Sequence, residues 1–285
     1  MRFIVGTVGL VGLVGLAFGA SPAPASARYF DSASAAVLSL VQKKPRVVAF
    51  GEYHQVKGRS AAPSALKHFS DEILDALAPR SAELIAETWL PQGRCGKTEE
   101  VAVAKVEETI KRPEATESEL VTMIKRAKAG GVQPRILNLS CAEYEQIQPK
   151  DGPTDYVALL RIITEQLKKN IDAARQRIAK AGKPAADKMV LVYGGALHND
   201  LFPQQELETF SFAKTVQKET GGRYVEVDLY VPEYIESDEK LRAEAWFVAW
   251  QRAEPAHAQQ IAVISRSPSS HIVIFPRTAA VKPAE

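Results

Sequence analysis

Two short stretches of this chain share one pattern, in which an apolar run leads into a glycine, two further residues and a histidine. The first, VVAFGEYHQ, places Glu52, Tyr53 and His54 directly after Gly51, and the second, VLVYGGALHND, reaches His198. A carboxylate beside an imidazole suits proton transfer by a general base, and the same side chains also bind metal ions. Both stretches are therefore candidate parts of a chemically active site.

A third apolar run, LIAETW, ends near Glu87. Ligands of an open parallel sheet bind outside the carboxyl ends of its strands, where residues from separate strands meet. If residues 52–54 stay extended, the side chains of Glu52 and His54 point to the same side. We therefore predict one site at this edge, formed by Glu52, His54, Glu87 and His198 and flanked by Tyr53 and Asp200.

The elements that must position these residues follow from the alternation of apolar runs with segments of helical period. Most of the predicted strands are apolar throughout, as strands covered on both faces are, and they lie at about 46–50, 82–88, 135–140, 188–193 and 224–231. Helices between them are typical of a parallel sheet. The runs QIAVISRS and HIVIFPRT, joined by the short PSS, predict an antiparallel hairpin at one sheet edge.

The predicted fold is thus a single α/β domain over residues 28–278, with a mostly parallel sheet covered by helices. Two helical segments are clear, one over 64–77 and one over 155–182 that stops at Gly182. The long crossover over 89–134 predicts two helices broken near Pro113, either a lid or a plain insertion. Residues 279–285 are expected to form a disordered tail.

The first 27 residues have the pattern of a cleaved signal peptide, with Arg2, an apolar run and a small-residue site before Arg28. We therefore expect an exported protein, periplasmic or secreted, without stable membrane insertion after cleavage; an uncleaved anchor is the alternative. The formal net charge of +2 over 285 residues gives no electrostatic basis for nucleic-acid binding. His68, His257 and His271 are expected to be solvated and structural.

The chain has two cysteines, Cys95 and Cys141, each just after a predicted strand. In an oxidising compartment such a pair favours a disulfide over a metal site or a nucleophile. Two unrelated thiols are the alternative.

In VVAFGEYHQ, in Glu87 of LIAETW and in VYGGALHN, the chain resembles the erythromycin esterase/ChaN-like/TIKI–TraB superfamily, and the short length is closer to its ChaN-like arm. The resemblance implies an α/β fold with paired Glu and His residues at one sheet edge. It also implies one of three activities, which are ester hydrolysis, metal-dependent proteolysis and haem binding.

The residues themselves leave these mechanisms open. As a hydrolase of a small ester or amide, the protein would use His54 or His198 as general base, oriented by Glu52 or Glu87. Alternatively, the same four side chains would bind Zn, Mn or Fe and activate a water molecule. A protein without turnover would instead bind haem or a metal, with Tyr53, His54 or His198 as an axial ligand. A structural domain with polar strand ends is the remaining alternative.

Overall fold

Eight strands form one sheet in the computed structural model, which describes residues 27–54, 61–91, 115–149, 152–182, 185–236 and 238–278. Their order across the sheet is β1-β7-β8-β6-β2-β5-β3-β4. The strands are β1 Arg28–Phe30, β2 Val47–Glu52, β3 Ser81–Pro91, β4 Gln133–Leu139, β5 Met189–Gly195, β6 Tyr224–Tyr230, β7 Ile261–Ser267 and β8 Ser270–Ile274.

Helices connect most of these strands. In the described ranges they are α1 Ala33–Leu40, α2 Ala65–His68, α3 Leu74–Leu77, α4 Ala115–Ala129, α5 Cys141–Ile147, α6 Tyr156–Lys180, α7 Ala196–Asn199, α8 Ala213–Glu219, α9 Pro232–Ile235, α10 Glu239–Ala243 and α11 Ala245–Ala253. A π turn, Phe69–Ile73, joins α2 to α3, so the predicted helix over 64–77 is interrupted. Helix α6 ends just before Gly182, whose φ of +67° suits the stop that the sequence predicts.

The predicted fold class is confirmed. Strands β4, β3, β5, β2, β6 and β8 pair in parallel, and β7 returns antiparallel to β8 as the predicted hairpin. The sequence does not reveal β1, which pairs antiparallel with β7 and forms the edge of the sheet. This strand has only three residues, too few to show a periodic pattern.

Both faces of the sheet are buried, which explains the continuously apolar strands. One face, called the first face here, holds Val48 and Phe50 of β2 in a cluster with α1, α2 and α3. The opposite, second face holds Val47 and Ala49 in a cluster with α6 and α8. A further apolar cluster lies under α11, around Trp246 and Phe247. The alternating side chains of β2 thus anchor the central strand from both sides.

Several predicted features lie outside the described residues. They are most of the signal segment 1–27, the part of the crossover that contains Cys95 and Pro113, and the tail 279–285. No helix in the described ranges combines the length and apolar character needed to cross a membrane.

Candidate functional site

The three strands that carry the predicted site are neighbours in the sheet, in the order β2, β5, β3. Glu52 lies opposite Gly195 in the β2–β5 ladder, and the carboxylate of Glu87 on β3 accepts a hydrogen bond from Gly195 N at 2.7 Å. His198 follows β5 on the short helix α7. The structure therefore brings all four predicted residues to one stretch of the carboxyl edge.

Glu52 and His54 form a close carboxylate–imidazole pair on the first face. His54 Nδ1 lies 2.7 Å from Glu52 Oε1, and the hydroxyl of Tyr193 donates to Glu52 Oε2 at 2.6 Å. Because a carboxylate oxygen only accepts, we assign the His54 proton to Nδ1, which leaves the lone pair of the neutral ring on Nε2. Glu52 is buried, whereas the His54 side chain is 31% exposed, so the pair reaches from the core to the surface.

Tyr193, whose hydroxyl bonds Glu52, is a buried residue. The ring of Tyr193 packs against Phe69, with ring centroids 4.8 Å apart. The ring of Tyr53 stacks on Tyr230, and its hydroxyl donates to Asp238 at 2.9 Å. Haem ligation by Tyr53 would require this hydrogen bond to break, and haem binding stays a prediction.

Glu87 and His198 form a looser pair. His198 Nε2 is 3.8 Å from Glu87 Oε1, which is too long for a direct hydrogen bond. His198 Nδ1 lies 2.8 Å from Thr164 Oγ1 and 3.1 Å from the carbonyl of Phe210. Since that carbonyl only accepts, Nδ1 of His198 carries the proton, as in His54. In both histidines Nδ1 makes the hydrogen bonds to the protein, and Nε2 is on the opposite side of the ring.

Two glycines at the end of β5 allow these pairs to approach each other. A Cβ at Gly194 would lie 2.4 Å from Glu87 Oε2, and one at Gly195 would lie 3.1 Å from His54 Nε2 and 3.7 Å from Glu87 Oε2. His54 Nε2 and Glu87 Oε2 are therefore at most 6.8 Å apart, the sum of the last two distances. A side chain at position 194 would overlap Glu87, and one at position 195 would require His54 to shift by a few tenths of an ångström.

This geometry does not form a closed shell of metal ligands. Both oxygens of Glu52 already accept hydrogen bonds, and Glu87 Oε2 is bonded to Gly195 N. Within the described ranges, no three or more His, Cys, Asp or Glu side chains are arranged so that they could hold a metal ion. Metal binding by the four residues stays a prediction, and we derive no chemical step through a metal.

A buried charge cluster beside the site is missed by the sequence reasoning. Arg266 of β7 forms ion pairs with Asp200, Glu226 and Asp228, and all four residues are at most 5% exposed. Burial raises the pKa of Asp228 to about 6, against the opposing effect of Arg266. Burial likewise raises the pKa values of Glu226 and Asp200. The sequence does contain a sign of this cluster, because the apolar strand YVEVDLY has two acids at alternate positions. Buried carboxylates on one face of a strand need a buried cation as partner.

Two other expectations concern single residues. His271 is buried rather than solvated: its strand β8 lies inside the sheet, and burial together with Arg28 lowers the pKa of His271 to about 4.

Cys141 is disulfide-bonded. Cys95 lies outside the described residues, so the pairing of the two stays a prediction.

Comparison with known proteins adds little to this description. No family model and no curated protein matches the chain. The structure of the type III effector HopBA1 is similar with a TM-score of 0.40 and 9% sequence identity, over 82% of this chain and 88% of that one. A likeness this weak carries no argument about function.

Proposed function

We propose that the protein is an exported hydrolase that cleaves a small ester or amide by general-base catalysis at Glu52 and His54. One observation carries the proposal: the chain of short hydrogen bonds from Tyr193 through Glu52 to His54. A buried carboxylate that fixes the tautomer of a partly exposed imidazole is an arrangement that supports general-base catalysis.

In the proposed reaction, His54 Nε2 accepts a proton from water while the water oxygen attacks the carbonyl carbon of the substrate. The His54 imidazolium then gives this proton to the leaving oxygen or nitrogen as the bond to carbon breaks, so an acid and an alcohol or amine are released. Glu52 stabilises the imidazolium, and the Tyr193 hydroxyl keeps Glu52 oriented.

The second pair has a different part in the proposal. Glu87 accepts from Gly195 N and lies 3.8 Å from His198 Nε2, a gap that a water or substrate atom can bridge. His198 is only 5% exposed at its side chain, against 31% for His54. We therefore assign the base to His54 and a substrate-orienting role to Glu87 and His198.

The test uses p-nitrophenyl acetate, p-nitrophenyl butyrate and a p-nitroanilide, with protein dialysed against EDTA. Glu52→Gln and His54→Asn should each lower kcat/KM by about 10²–10⁴. The chain offers a matched control in His68 and Glu72, whose Nδ1–Oε1 distance of 2.6 Å is as short but whose carboxylate, on the π turn, is 43% exposed. Glu72→Gln should leave kcat/KM within about twofold, as surface changes do.

Other results would point elsewhere. Turnover that is lost on dialysis and restored by Zn²⁺ or Mn²⁺ would favour the metal scheme. A Soret band in untagged protein would favour haem binding. Equal losses in Glu52→Gln and Glu72→Gln would contradict the proposal.

A further inference from the structure

The helix that carries His198 cannot fix its own direction. Helix α7 has four residues, and its N-cap residue Gly195 provides no side-chain hydrogen bond. So short a helix gains little from its internal hydrogen bonds. The His198 ring itself is bonded to Thr164 and to the Phe210 carbonyl. The backbone that brings the ring to these partners must be held by the groups that surround α7 and the residues after it.

Strand β6 supplies three of these groups at alternate positions on the second face. Tyr224 donates its hydroxyl to the carbonyl of Asn199 at 2.7 Å. Glu226 accepts from the backbone N–H of Leu201 at 3.1 Å, and Asp228 accepts from the Asn199 side chain at 3.2 Å. These three side chains of β6 thus bind Asn199 and Leu201, which lie just after His198.

Arg266 ties these groups together from β7. Its guanidinium contacts Glu226, lies 3.2 Å from Asp228 and lies 3.2 Å from Asp200, the C-cap residue of α7. The strands that carry the cluster also contribute to two apolar clusters: Tyr224 belongs to the one with α6 and α8, and Tyr230 and Ile264 belong to the one under α11. Well-packed apolar residues often stabilise a buried position at least as well as ion pairs do, so a gain in stability is a weak explanation for the cluster.

We propose that Tyr224, Glu226, Asp228 and Arg266 are positioning residues, which hold residues 199–201 in place. They thereby keep the His198 ring in the direction in which it bonds Thr164 and Phe210. The cluster contacts the proposed site through this turn, and rigid hydrogen bonds of a buried network allow one arrangement of the turn. The expected effect on the rate rests on the proposed hydrolytic function. The effect on the direction of the His198 ring is independent of that function, because it can be measured without a substrate.

The main test variant is Tyr224→Phe, which removes the hydroxyl that binds Asn199 but keeps the buried ring. The histidine ring signals are measured by ¹⁵N NMR, and those of His198 are assigned by their absence in His198→Gln. We expect the His198 signals to move in Tyr224→Phe, and kcat for p-nitrophenyl acetate to fall about tenfold with KM unchanged, because small displacements in a site reduce rates strongly.

Tyr29→Phe is the matched control. The Tyr29 hydroxyl is buried and has no hydrogen-bond partner among the described residues. This variant should leave the His198 signals and kcat unchanged. Asp228→Ala gives a second perturbation; if it does not fold, Tyr224→Phe decides alone.

The proposal is overturned if His198 keeps its wild-type signals in folded Tyr224→Phe, since the cluster would then act on stability alone. If the signals move but the wild type hydrolyses no ester, the positioning role stands and the proposed hydrolysis falls.

Discussion

Replacing Gly194 by alanine tests whether Glu87 lies over the end of β5. The new Cβ would lie 2.4 Å from Glu87 Oε2 and 2.9 Å from Glu87 Cβ, whereas ordinary contacts begin near 3.4 Å. The carboxylate must therefore retreat by about 1 Å, the difference between the first and last of these distances. Because Glu87 Cβ is also too close, a rotation of the carboxyl group cannot relieve the overlap.

The retreat would break the 2.7 Å hydrogen bond between Gly195 N and Glu87. A hydrogen bond to a charged group contributes about 1.5–3 kcal/mol, which is the expected loss in the free energy of unfolding. A displacement of about 1 Å in a catalytic site lowers rates by about 10²-fold, which is the expected loss in kcat/KM.

The assay is hydrolysis of p-nitrophenyl acetate together with urea denaturation. In Gly195→Ala the new Cβ would lie 3.1 Å from His54 Nε2, so His54 has to move by only a few tenths of an ångström. The loss in kcat/KM should therefore be smaller than in Gly194→Ala. Gly152→Ala is the control, since its nearest contact is an ordinary 3.5 Å to Pro149. If Gly194→Ala behaved like Gly152→Ala in both assays, the placement of Glu87 would be wrong.

Three further outcomes are expected. Arg266→Gln leaves buried carboxylates without their cation and should lower the free energy of unfolding by about 3–5 kcal/mol, measured by urea denaturation. Asp228 has a pKa raised to about 6, so its contribution to stability falls as pH rises from about 4 to 6. His271 has a pKa lowered to about 4, so its contribution to stability falls as pH drops from about 6.5 to 4. When the pH is lowered from 6.5 to 4, the free energy of unfolding relative to wild type should fall for Asp228→Asn and rise for His271→Gln, by up to about 3 kcal/mol each. The same pH response in both variants would refute these assignments. Titration of unreduced protein should find no free thiol, and two thiols would exclude the predicted bond between Cys95 and Cys141.

The strand ends could be predicted because each motif is local. An apolar run followed by glycine and a histidine identifies a strand and its carboxyl end together, and parallel pairing then brings such ends to one edge. Glu52, His54 and His198 were predicted in this way, and Glu87 was predicted from a third apolar run, LIAETW, which has neither glycine nor histidine.

Tyr193 and the charge cluster could not be found by that route. Tyr193 reads as one more core aromatic in an apolar run, and only the adjacency of β2 and β5 reveals Glu52 as its partner. Arg266 is 38 residues from Asp228 along the chain, and β8 lies between their strands in the sheet. Such contacts depend on strand order and side-chain length, which local patterns do not specify.

The central claim is that two carboxylate–imidazole pairs from separate strands act on one bound molecule. A double-mutant cycle of Glu52→Gln and Glu87→Gln, followed by kcat/KM for p-nitrophenyl acetate, tests it most directly. Substitutions of residues that act as a unit have strongly non-additive effects. The double variant should therefore lose about as much kcat/KM as the single variant with the larger loss. Losses that simply add, with a coupling energy below about 0.5 kcal/mol, would show that the two pairs work independently and would contradict a shared site.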